Sequence, residues 1–344
     1  MAGIADFHKQ PPRLSIRWRA DIGDHVISLA WSPDGKNVAA AAVGGPITVF
    51  DPSDGKPKTE LPGHGFGTTV VQWRDSQTLA SAGQDGKASL WDVSTHEKVS
   101  MMGGAGWVEH LAWSPNREFI ATGAGKKLRL FDANGKLVRE YPDHGSTISG
   151  ISWRPNGGEL TSSSYGRIAL WPMNGDTPLK EFTWRGSVLS HLWTPNGALL
   201  ATGDQDATVH YWNYASGHHL QMSGYPTKVR ELSWDTTNRW MATGGGWMVS
   251  VWDCSGRGPE GRNPVMLEAF GEEERVTAIA YQATGPHLAV AGTDGRVLTY
   301  RPEKSGRILS QVILDAEVTQ LAWSPGDTKL LVGTARGEVV LLGI

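Results

Sequence analysis

The segment Val108-Glu-His-Leu-Ala-Trp-Ser-Pro115 decides the fold, because variants of it recur along the whole chain. A nearly identical copy is Val318-Thr-Gln-Leu-Ala-Trp-Ser-Pro325. Eight such segments carry an aromatic residue at the same place, with successive spacings of 42, 40, 40, 40, 41, 47 and 42 residues. These aromatic residues are Trp31, Trp73, Trp113, Trp153, Trp193, Trp234, Tyr281 and Trp323. A period of this length predicts a chain built from repeated supersecondary units.

A second aromatic column follows the first at a nearly constant distance of 18 or 19 residues. Its members are Phe50, Trp91, Phe131, Trp171, Trp212, Trp252 and Tyr300, with Leu342 in the eighth place. Chance does not hold two columns in register over a whole chain. We therefore divide the sequence into eight repeat units, numbered one to eight from the N-terminus.

The sequence of each unit predicts short strands joined by tight turns. In unit two, alternating apolar residues predict strands over 68–73, 77–82 and 87–91. Turns such as Ser32-Pro-Asp-Gly35 separate the strands, because Pro presets φ and Gly tolerates positive φ. A fourth, weaker strand leads into the next unit, for example over 136–140.

The ends of the third strands carry a recognisable signature. Trp-Asp pairs stand at Trp91-Asp92 and Trp252-Asp253, and Gly63-His64 precedes unit two. With the two columns, these motifs resemble the WD-repeat family over residues 14–344. The resemblance implies an all-β fold, an eight-bladed β-propeller of four-stranded antiparallel blades around a central channel. Seven blades with a stray unit is the alternative.

The two chain ends are expected to meet. Unit eight stops at Ile344, after its third strand, whereas the N-terminal segment 14–19 alternates like a strand. We expect this segment to pair with the last blade and remove an exposed sheet edge. The predicted organisation is an N-terminal tail over 1–13 and a single propeller over 14–344. Because ring closure needs no second chain, a monomer is expected.

Composition narrows the possible partners and the compartment. The formal net charge is −3 and no Lys/Arg run occurs, which argues against nucleic-acid binding. The sequence contains no run of about 18 apolar residues, so it predicts no membrane-spanning segment. Cys254 is the single cysteine, so no intrachain disulfide can form. These features predict a cytoplasmic protein.

A Ser/His/Asp set in unit two has two interpretations. Nucleophilic catalysis uses these residue types. The family resemblance instead implies that His64, Ser81, Asp85 and Trp91 form a structural hydrogen-bonded network inside one blade. We favour the structural interpretation and predict no catalytic residues and no enzyme activity.

Metal or cofactor binding has little support in the sequence. His110 and His191 lie on predicted inner strands and can approach the channel, but no His/Cys pair has a recognised ligand spacing. We therefore predict no metal and no cofactor. A small-ligand or metal-binding propeller and an enzyme with its site at the channel mouth are the alternative functions.

The main hypothesis is a scaffold that binds a protein or peptide on the loop face around the channel mouth. Trp107, Trp184 and Trp247 fall in predicted loops of that face, where aromatic and basic residues commonly anchor partners. The candidate partner-binding residues are Trp107, Glu109, Tyr165, Arg167, Trp184, Arg185, Lys228, Arg230, Trp247 and Arg275. The mouth-facing position of each first strand is occupied by Ile27, Thr69, Glu109, Ser149, Leu189, Arg230, Thr277 and Thr319. In the alternative, the loop tryptophans fold back onto their own blade.

Overall fold

The regular structure of the protein is entirely β. The computed structural model describes residues 11–103, 106–155, 158–256, 258–303 and 305–344. Within these ranges there are 30 strands and no helix, and so no helix that could cross a membrane. Alternating apolar residues and frequent Gly, Asn, Asp and Pro turns produce this pattern, as the sequence predicts.

The strand bounds follow the repeat. The N-terminal half contains β1 (Ser15–Asp21), β2 (Val26–Trp31), β3 (Val38–Ala42), β4 (Ile47–Phe50), β5 (Pro57–Leu61), β6 (Thr68–Trp73), β7 (Thr78–Gly83), β8 (Lys87–Asp92), β9 (Lys98–Met102), β10 (Val108–Trp113), β11 (Phe119–Ala124), β12 (Lys127–Asp132), β13 (Leu137–Glu140), β14 (Gly150–Trp153) and β15 (Glu159–Pro172). The C-terminal half contains β16 (Lys180–Trp193), β17 (Leu199–Asp204), β18 (Val209–Asn213), β19 (His219–Met222), β20 (Leu232–Trp234), β21 (Trp240–Thr243), β22 (Met248–Asp253), β23 (Val265–Glu268), β24 (Val276–Tyr281), β25 (Leu288–Gly292), β26 (Arg296–Arg301), β27 (Ser305–Ile313), β28 (Val318–Trp323), β29 (Lys329–Thr334) and β30 (Glu338–Gly343).

These strands form seven hydrogen-bonded antiparallel sheets. Six sheets have four strands each, in the orders β2-β3-β4-β5, β6-β7-β8-β9, β10-β11-β12-β13, β20-β21-β22-β23, β24-β25-β26-β27 and β1-β30-β29-β28. The seventh has six strands in the order β14-β15-β16-β17-β18-β19. Most units are therefore simple meanders in which each strand pairs with the next along the chain.

The six-stranded sheet contains units four and five together. Within β15, Trp171 Nε1 donates to Ser162 Oγ at 2.8 Å. In a straight strand, residues nine positions apart would lie about 30 Å from each other. The chain of β15 therefore reverses, and it does so at Tyr165-Gly166, where Gly166 has φ of 67°. The first half of β16 pairs with β15 and its second half pairs with β17, so β16 belongs to both units.

The number of separate sheets differs from the eight blades that the sequence predicts. Counted as hydrogen-bonded sheets, the blades number seven, so eight separate four-stranded blades is wrong and the alternative of seven matches. The physical reason is that Tyr165 of unit four pairs with Ser187 of unit five, which joins the two units into one sheet. All eight sequence repeats are nevertheless accounted for. Their first strands contact one another in a closed ring in the order β2, β6, β10, β14, β16, β20, β24 and β28.

The N-terminal strand completes the last unit, which confirms the expected closure. β1 pairs antiparallel with β30, from Ser15 opposite Gly343 to Asp21 opposite Glu338. Trp18 anchors this strand, because its indole N–H donates to Pro52 O at 3.1 Å and its ring stacks on Phe50. The closure therefore ties β1 both to unit eight and to unit one.

The first aromatic column joins neighbouring units. The indole N–H of Trp73 donates to Ala30 O at 3.1 Å, and that of Trp153 donates to Ala112 O at 3.0 Å. In each case the acceptor lies on the first strand of the preceding unit. Trp31 makes the same bond to Ala322 O, at 3.1 Å, and so connects unit one to unit eight. The repeated tryptophans therefore hold the ring together.

Candidate functional site: the channel mouth

Two circles of side chains surround the mouth of the channel. The inner circle is the mouth-facing position named above, and the outer circle lies two residues earlier in each unit. The outer circle consists of His25, Gly67, Trp107, Thr147, Ser187, Lys228, Arg275 and Glu317. We call these the inner and outer mouth positions.

Threonines at the inner mouth position are engaged in holding the ring. Thr69 donates its hydroxyl to Val108 O at 2.6 Å, and Thr319 donates to Val26 O at 2.7 Å. Thr277 bonds Val318 O in the same way. In units three and six the inner position is instead Glu109 and Arg230, and both side chains are exposed. Units three and six therefore present charge where units two, seven and eight present a structural hydroxyl.

A cationic cavity lies on units six, seven, eight and one. Its volume is about 440 Å³, and Lys228, Arg230 and Arg275 line it. All three side chains are exposed, and none forms an ion pair within the described ranges. Glu231 and Glu317 also line the cavity, and burial raises the pKa of the Glu231 carboxyl. The structure thus brings three of the predicted partner-binding residues into one concave site with surplus positive charge.

A smaller cavity lies on the other half of the ring, on units two to five. Its volume is about 220 Å³, and Glu109, Ser149 and Leu189 line it together with His110 and His191. Glu109 is exposed and has no cationic partner among the residues with described positions. Trp107 stands at the outer mouth position beside Glu109 and is 54% exposed. This half of the mouth therefore presents an acid and an indole ring.

His110 and His191, the two histidines that line the smaller cavity, both contact polar groups of the protein itself. His191 Nε2 and Nδ1 lie 2.8 Å from Ser152 Oγ and 2.9 Å from Ser163 Oγ. Burial lowers the pKa of His191 to about 4. His110 Nε2 lies 3.3 Å from Ile148 O. In the part of the chain that the structure describes, no three His, Cys, Asp or Glu side chains are grouped to hold a metal ion.

Two further exposed aromatics lie on the loop face. Tyr165 is 60% exposed at the turn inside β15. Phe66, which the sequence analysis missed, is 88% exposed, and its backbone has φ of 71° between Gly65 and Gly67. An aromatic residue flanked by two glycines directly after Gly63-His64 is the signal that could have identified it. Units two, three and four therefore each expose one aromatic ring.

Trp184 and Trp247 do not stand free on the face. The Trp184 ring packs 5.1 Å from that of His210 and 4.8 Å from that of Trp212. Trp247 is partly buried against the core that contains Val249 and Phe270. For these two residues the alternative, in which loop tryptophans fold back onto their own blade, describes the structure. The apolar surface of a large ring is best buried where a neighbouring ring is within reach.

The two candidate partner-binding arginines of units four and five, Arg167 and Arg185, differ in their surroundings. Arg167 forms an ion pair with Glu181 at 2.5 Å and lies over the Trp171 ring. Arg185 is exposed, and no acidic partner is found for it in the described ranges. Arg167 is therefore committed to its own unit, whereas Arg185 remains available to a ligand.

The Ser/His/Asp set of unit two is a closed network. His64 Nδ1 lies 2.9 Å from Asp85 Oδ1, and His64 Nε2 lies 2.8 Å from Ser81 Oγ. Ser81 Oγ also accepts the indole N–H of Trp91 at 2.7 Å. Ser81 is fully buried, so no substrate can reach its hydroxyl. These contacts pin the loop before β6 to the second and third strands of the same unit.

Other units carry different residues at the position that His64 occupies in unit two. His144 occupies it in unit four, where its Nε2 lies 2.8 Å from Ser162 Oγ. Tyr225 occupies it in unit six, where its hydroxyl accepts the indole N–H of Trp252 at 2.9 Å. In unit five it is Trp184, which cannot accept a hydrogen bond. Counting nine residues back from the first aromatic column identifies all four positions.

Unit five contains a buried acid in place of this network. Asp204 is fully buried, its Oδ2 accepts from Thr202 Oγ1 at 2.9 Å, and its Oδ1 has no partner within the described ranges. Burial raises the pKa of Asp204 to about 7. His210 Nε2 is 4.0 Å from Asp204 Oδ2, and burial lowers the pKa of His210 to about 4. At neutral pH the histidine is therefore uncharged and does not compensate the carboxylate.

Comparisons with known proteins agree with the repeat. The family described as WD40, "WD domain, G-beta repeat", matches five segments that together make up more than half of the chain. The segments are 55–92, 97–132, 135–172, 177–213 and 217–253.

The chain is similar in sequence to a curated protein and in structure to a solved protein. The small ribosomal subunit protein RACK1 of Caenorhabditis elegans is 27% identical over 116 residues, which span 33% of this chain and 36% of that protein. The crystal structure of the computationally designed Ika8 protein has a TM-score of 0.81 at 21% identity, covering 94% of this chain and 98% of that one. At this identity the structural likeness speaks for the fold alone.

Proposed function

The chain belongs to the WD-repeat family of β-propellers, and from this premise we propose that it is a non-catalytic scaffold that binds a protein or peptide on the loop face. The observation that carries the proposal is the chemistry of the channel mouth, where unpaired cations and exposed aromatic rings share one face. Aromatic and arginine side chains contribute most of the binding energy at protein interfaces. A surface of this kind supports recognition of another chain.

The proposed contact residues fall into two groups. Trp107 and Tyr165 are the apolar anchors, because a partner that covers them removes large apolar surface from water. Arg185, Lys228, Arg230 and Arg275 select a partner that carries acidic side chains. Trp184, Trp247 and Arg167 act indirectly, by holding the loops of units four to six in place.

Two further observations support a scaffold over an enzyme. The serine, histidine and aspartate that resemble a catalytic set serve a buried structural network in unit two. The similarity to RACK1 concerns a protein whose name places it in a ribosomal subunit, a multiprotein assembly, and spans about a third of its length. We further propose that the protein works in the cytoplasm, where its single buried cysteine stays reduced.

Affinity capture with matched variants tests the proposal. Tagged wild type and a Trp107→Ala, Tyr165→Ala variant are used to capture partners from lysate of the source organism, and each captured protein is identified by mass spectrometry. A Leu137→Ala, Leu179→Ala variant is the control, because these residues are 50% and 60% exposed but lie outside the loop face. We expect a partner retained by wild type and control and lost by the aromatic variant. Equal retention by all three proteins would move the binding site away from this face.

A further inference from the structure

The charges at the channel mouth are separated into two poles. Lys228, Arg230 and Arg275 form a positive pole in the larger cavity. Glu109 forms a negative pole in the smaller cavity, beside the exposed indole of Trp107. Within the described ranges none of these four charged side chains has an ion-pair partner, so their charge is open to a ligand.

The order of the ring sets the poles apart across the channel. The first strands follow one another around the mouth from β2 to β28, and β28 contacts β2 again. The positive pole is supplied by units six and seven, and the negative pole by unit three. In a ring of eight units, unit seven is the unit diametrically opposite unit three. A ligand that reaches both poles must therefore cross the mouth.

We propose that the channel mouth is a two-pole site for an extended peptide with acidic residues at one end and a basic residue at the other. The inference rests on the proposed function and specifies the chemistry of the partner. The acidic end enters the cavity of Lys228, Arg230 and Arg275, where carboxylates receive charge-assisted hydrogen bonds. The basic end reaches Glu109 and lies against the Trp107 ring, which attracts a cation through its π face. Each pole repels the wrong end of the peptide, so the pair of poles fixes its direction.

A small set of synthetic peptides tests the two poles separately. The block peptide has ten residues, with three glutamates at one end, four Gly/Ser residues, and three lysines at the other end. Fully extended it spans about 33 Å. The half peptide is identical except that glutamines replace the lysines. Each carries fluorescein, and binding to the full-length protein is measured by fluorescence polarisation at low ionic strength, where exposed charges are least screened.

Glu109→Gln is the decisive variant. It should weaken binding of the block peptide by about three- to fivefold, the size of one exposed ion pair, and leave binding of the half peptide unchanged. Glu118→Gln is the matched control, because Glu118 is an exposed acid of the same unit at the opposite end of β10. Wild type should bind the block peptide more tightly than the half peptide. If Glu109→Gln retains the same ratio of the two affinities, the assignment of Glu109 as the negative pole is wrong.

The positive pole is tested with the same peptides. Arg275→Gln should weaken both peptides by a similar factor, because both carry the acidic end. Lys136→Gln removes an exposed cation in the turn between β12 and β13 and should change neither. Failure of wild type to bind either peptide would overturn the two-pole inference. Capture of a native partner that depends on Trp107 and Tyr165 would, in that case, leave the proposed function standing.

Discussion

Asp204 shows how a single residue makes this fold sensitive to pH. The ordinary pKa of its carboxyl is 3.8, and burial raises it to about 7 in the folded protein. In the unfolded chain the carboxyl ionises near pH 4, whereas in the folded protein it stays protonated until about pH 7. The free energy of unfolding therefore falls as the pH rises from 4 to 7, by at most about 4 kcal/mol. Above pH 7 the fold contains a buried carboxylate without a compensating cation.

Replacing this acid by its neutral isostere should remove the penalty. We expect Asp204→Asn to be more stable than wild type at pH 8 by up to about 4 kcal/mol, and the advantage to be smaller at pH 5, where wild type has lost only about a third of that stability. Thr202 can still donate to the amide oxygen. Urea unfolding at both pH values measures the difference, and Glu97→Gln, which changes an exposed acid of unit two, is the control. A variant whose advantage is the same at pH 5 and pH 8 would contradict the assignment.

Residue patterns also decided which site residues could be predicted. Lys228, Arg230 and Arg275 were predictable, because their distance from the first aromatic column places them at the mouth. For Trp184 and Trp247 the sequence left two interpretations open, since it does not show whether a loop ring finds a neighbour to pack on. Phe66 was not predicted from the sequence. Side-chain packing between loops is a tertiary property, and periodicity carries no information about it.

At the scale of strands, β1 is the element on which closure depends. It covers the edge of β30 and inserts Trp18 between units eight and one. We expect deletion of residues 1–20 to lower the melting temperature by more than about 10 °C, because it exposes a sheet edge and empties the Trp18 site. Differential scanning fluorimetry measures the loss.

A synthetic strand supplies the control for this deletion. Adding a peptide of residues 11–21 should restore part of the lost stability, since an edge strand can accept a matching strand in trans. Trp18→Ala tests the anchor alone and should cost about 3–5 kcal/mol, as expected for a buried large ring. Trp107→Ala, which removes an exposed ring, should be nearly neutral. A deletion variant that melts like wild type would disprove the closure.

The strands themselves were largely predictable, and their grouping into sheets was not. The two columns and the turn residues gave the existence and type of the elements in all eight units, including the role of β1. The merger of units four and five depends on Tyr165 pairing with Ser187. That pairing joins residues of different repeats through backbone hydrogen bonds, and backbone hydrogen bonds between units leave no periodic signal.

At the scale of the whole molecule, the ring and the mouth are made by the same strands. The first strand of each unit places its inner mouth position at one end and its column aromatic at the other, as Thr319 and Trp323 do on β28. Thr319 bonds unit one through Val26 O, while Trp323 bonds unit seven through Ala280 O at 2.9 Å. Structural bonds between units are thus found at both ends of the channel. At the mouth, Glu109 and Arg230 stand where Thr69, Thr277 and Thr319 make these bonds in other units, so units three and six present charge at this position.

The tryptophan bonds between units predict a measurable contrast in global stability. Trp153 and Trp113 are both buried members of the first column, 7% and 6% exposed. The indole N–H of Trp153 donates to Ala112 O, whereas that of Trp113 has no partner in the described ranges. A change to Phe removes similar ring volume at both sites, but only Trp153→Phe breaks a hydrogen bond between two units. We expect Trp153→Phe to lower the free energy of unfolding by about 0.5–1.5 kcal/mol more than Trp113→Phe.

Equilibrium urea unfolding of the two variants, followed by circular dichroism, gives this difference directly. The comparison cancels the packing loss that both substitutions share, so the remainder reports the bond between units three and four. A ring held by such bonds should unfold as one transition in wild type. If the two variants are equally stable, the indole donors contribute nothing to the ring, and apolar packing between neighbouring sheets is sufficient to close it.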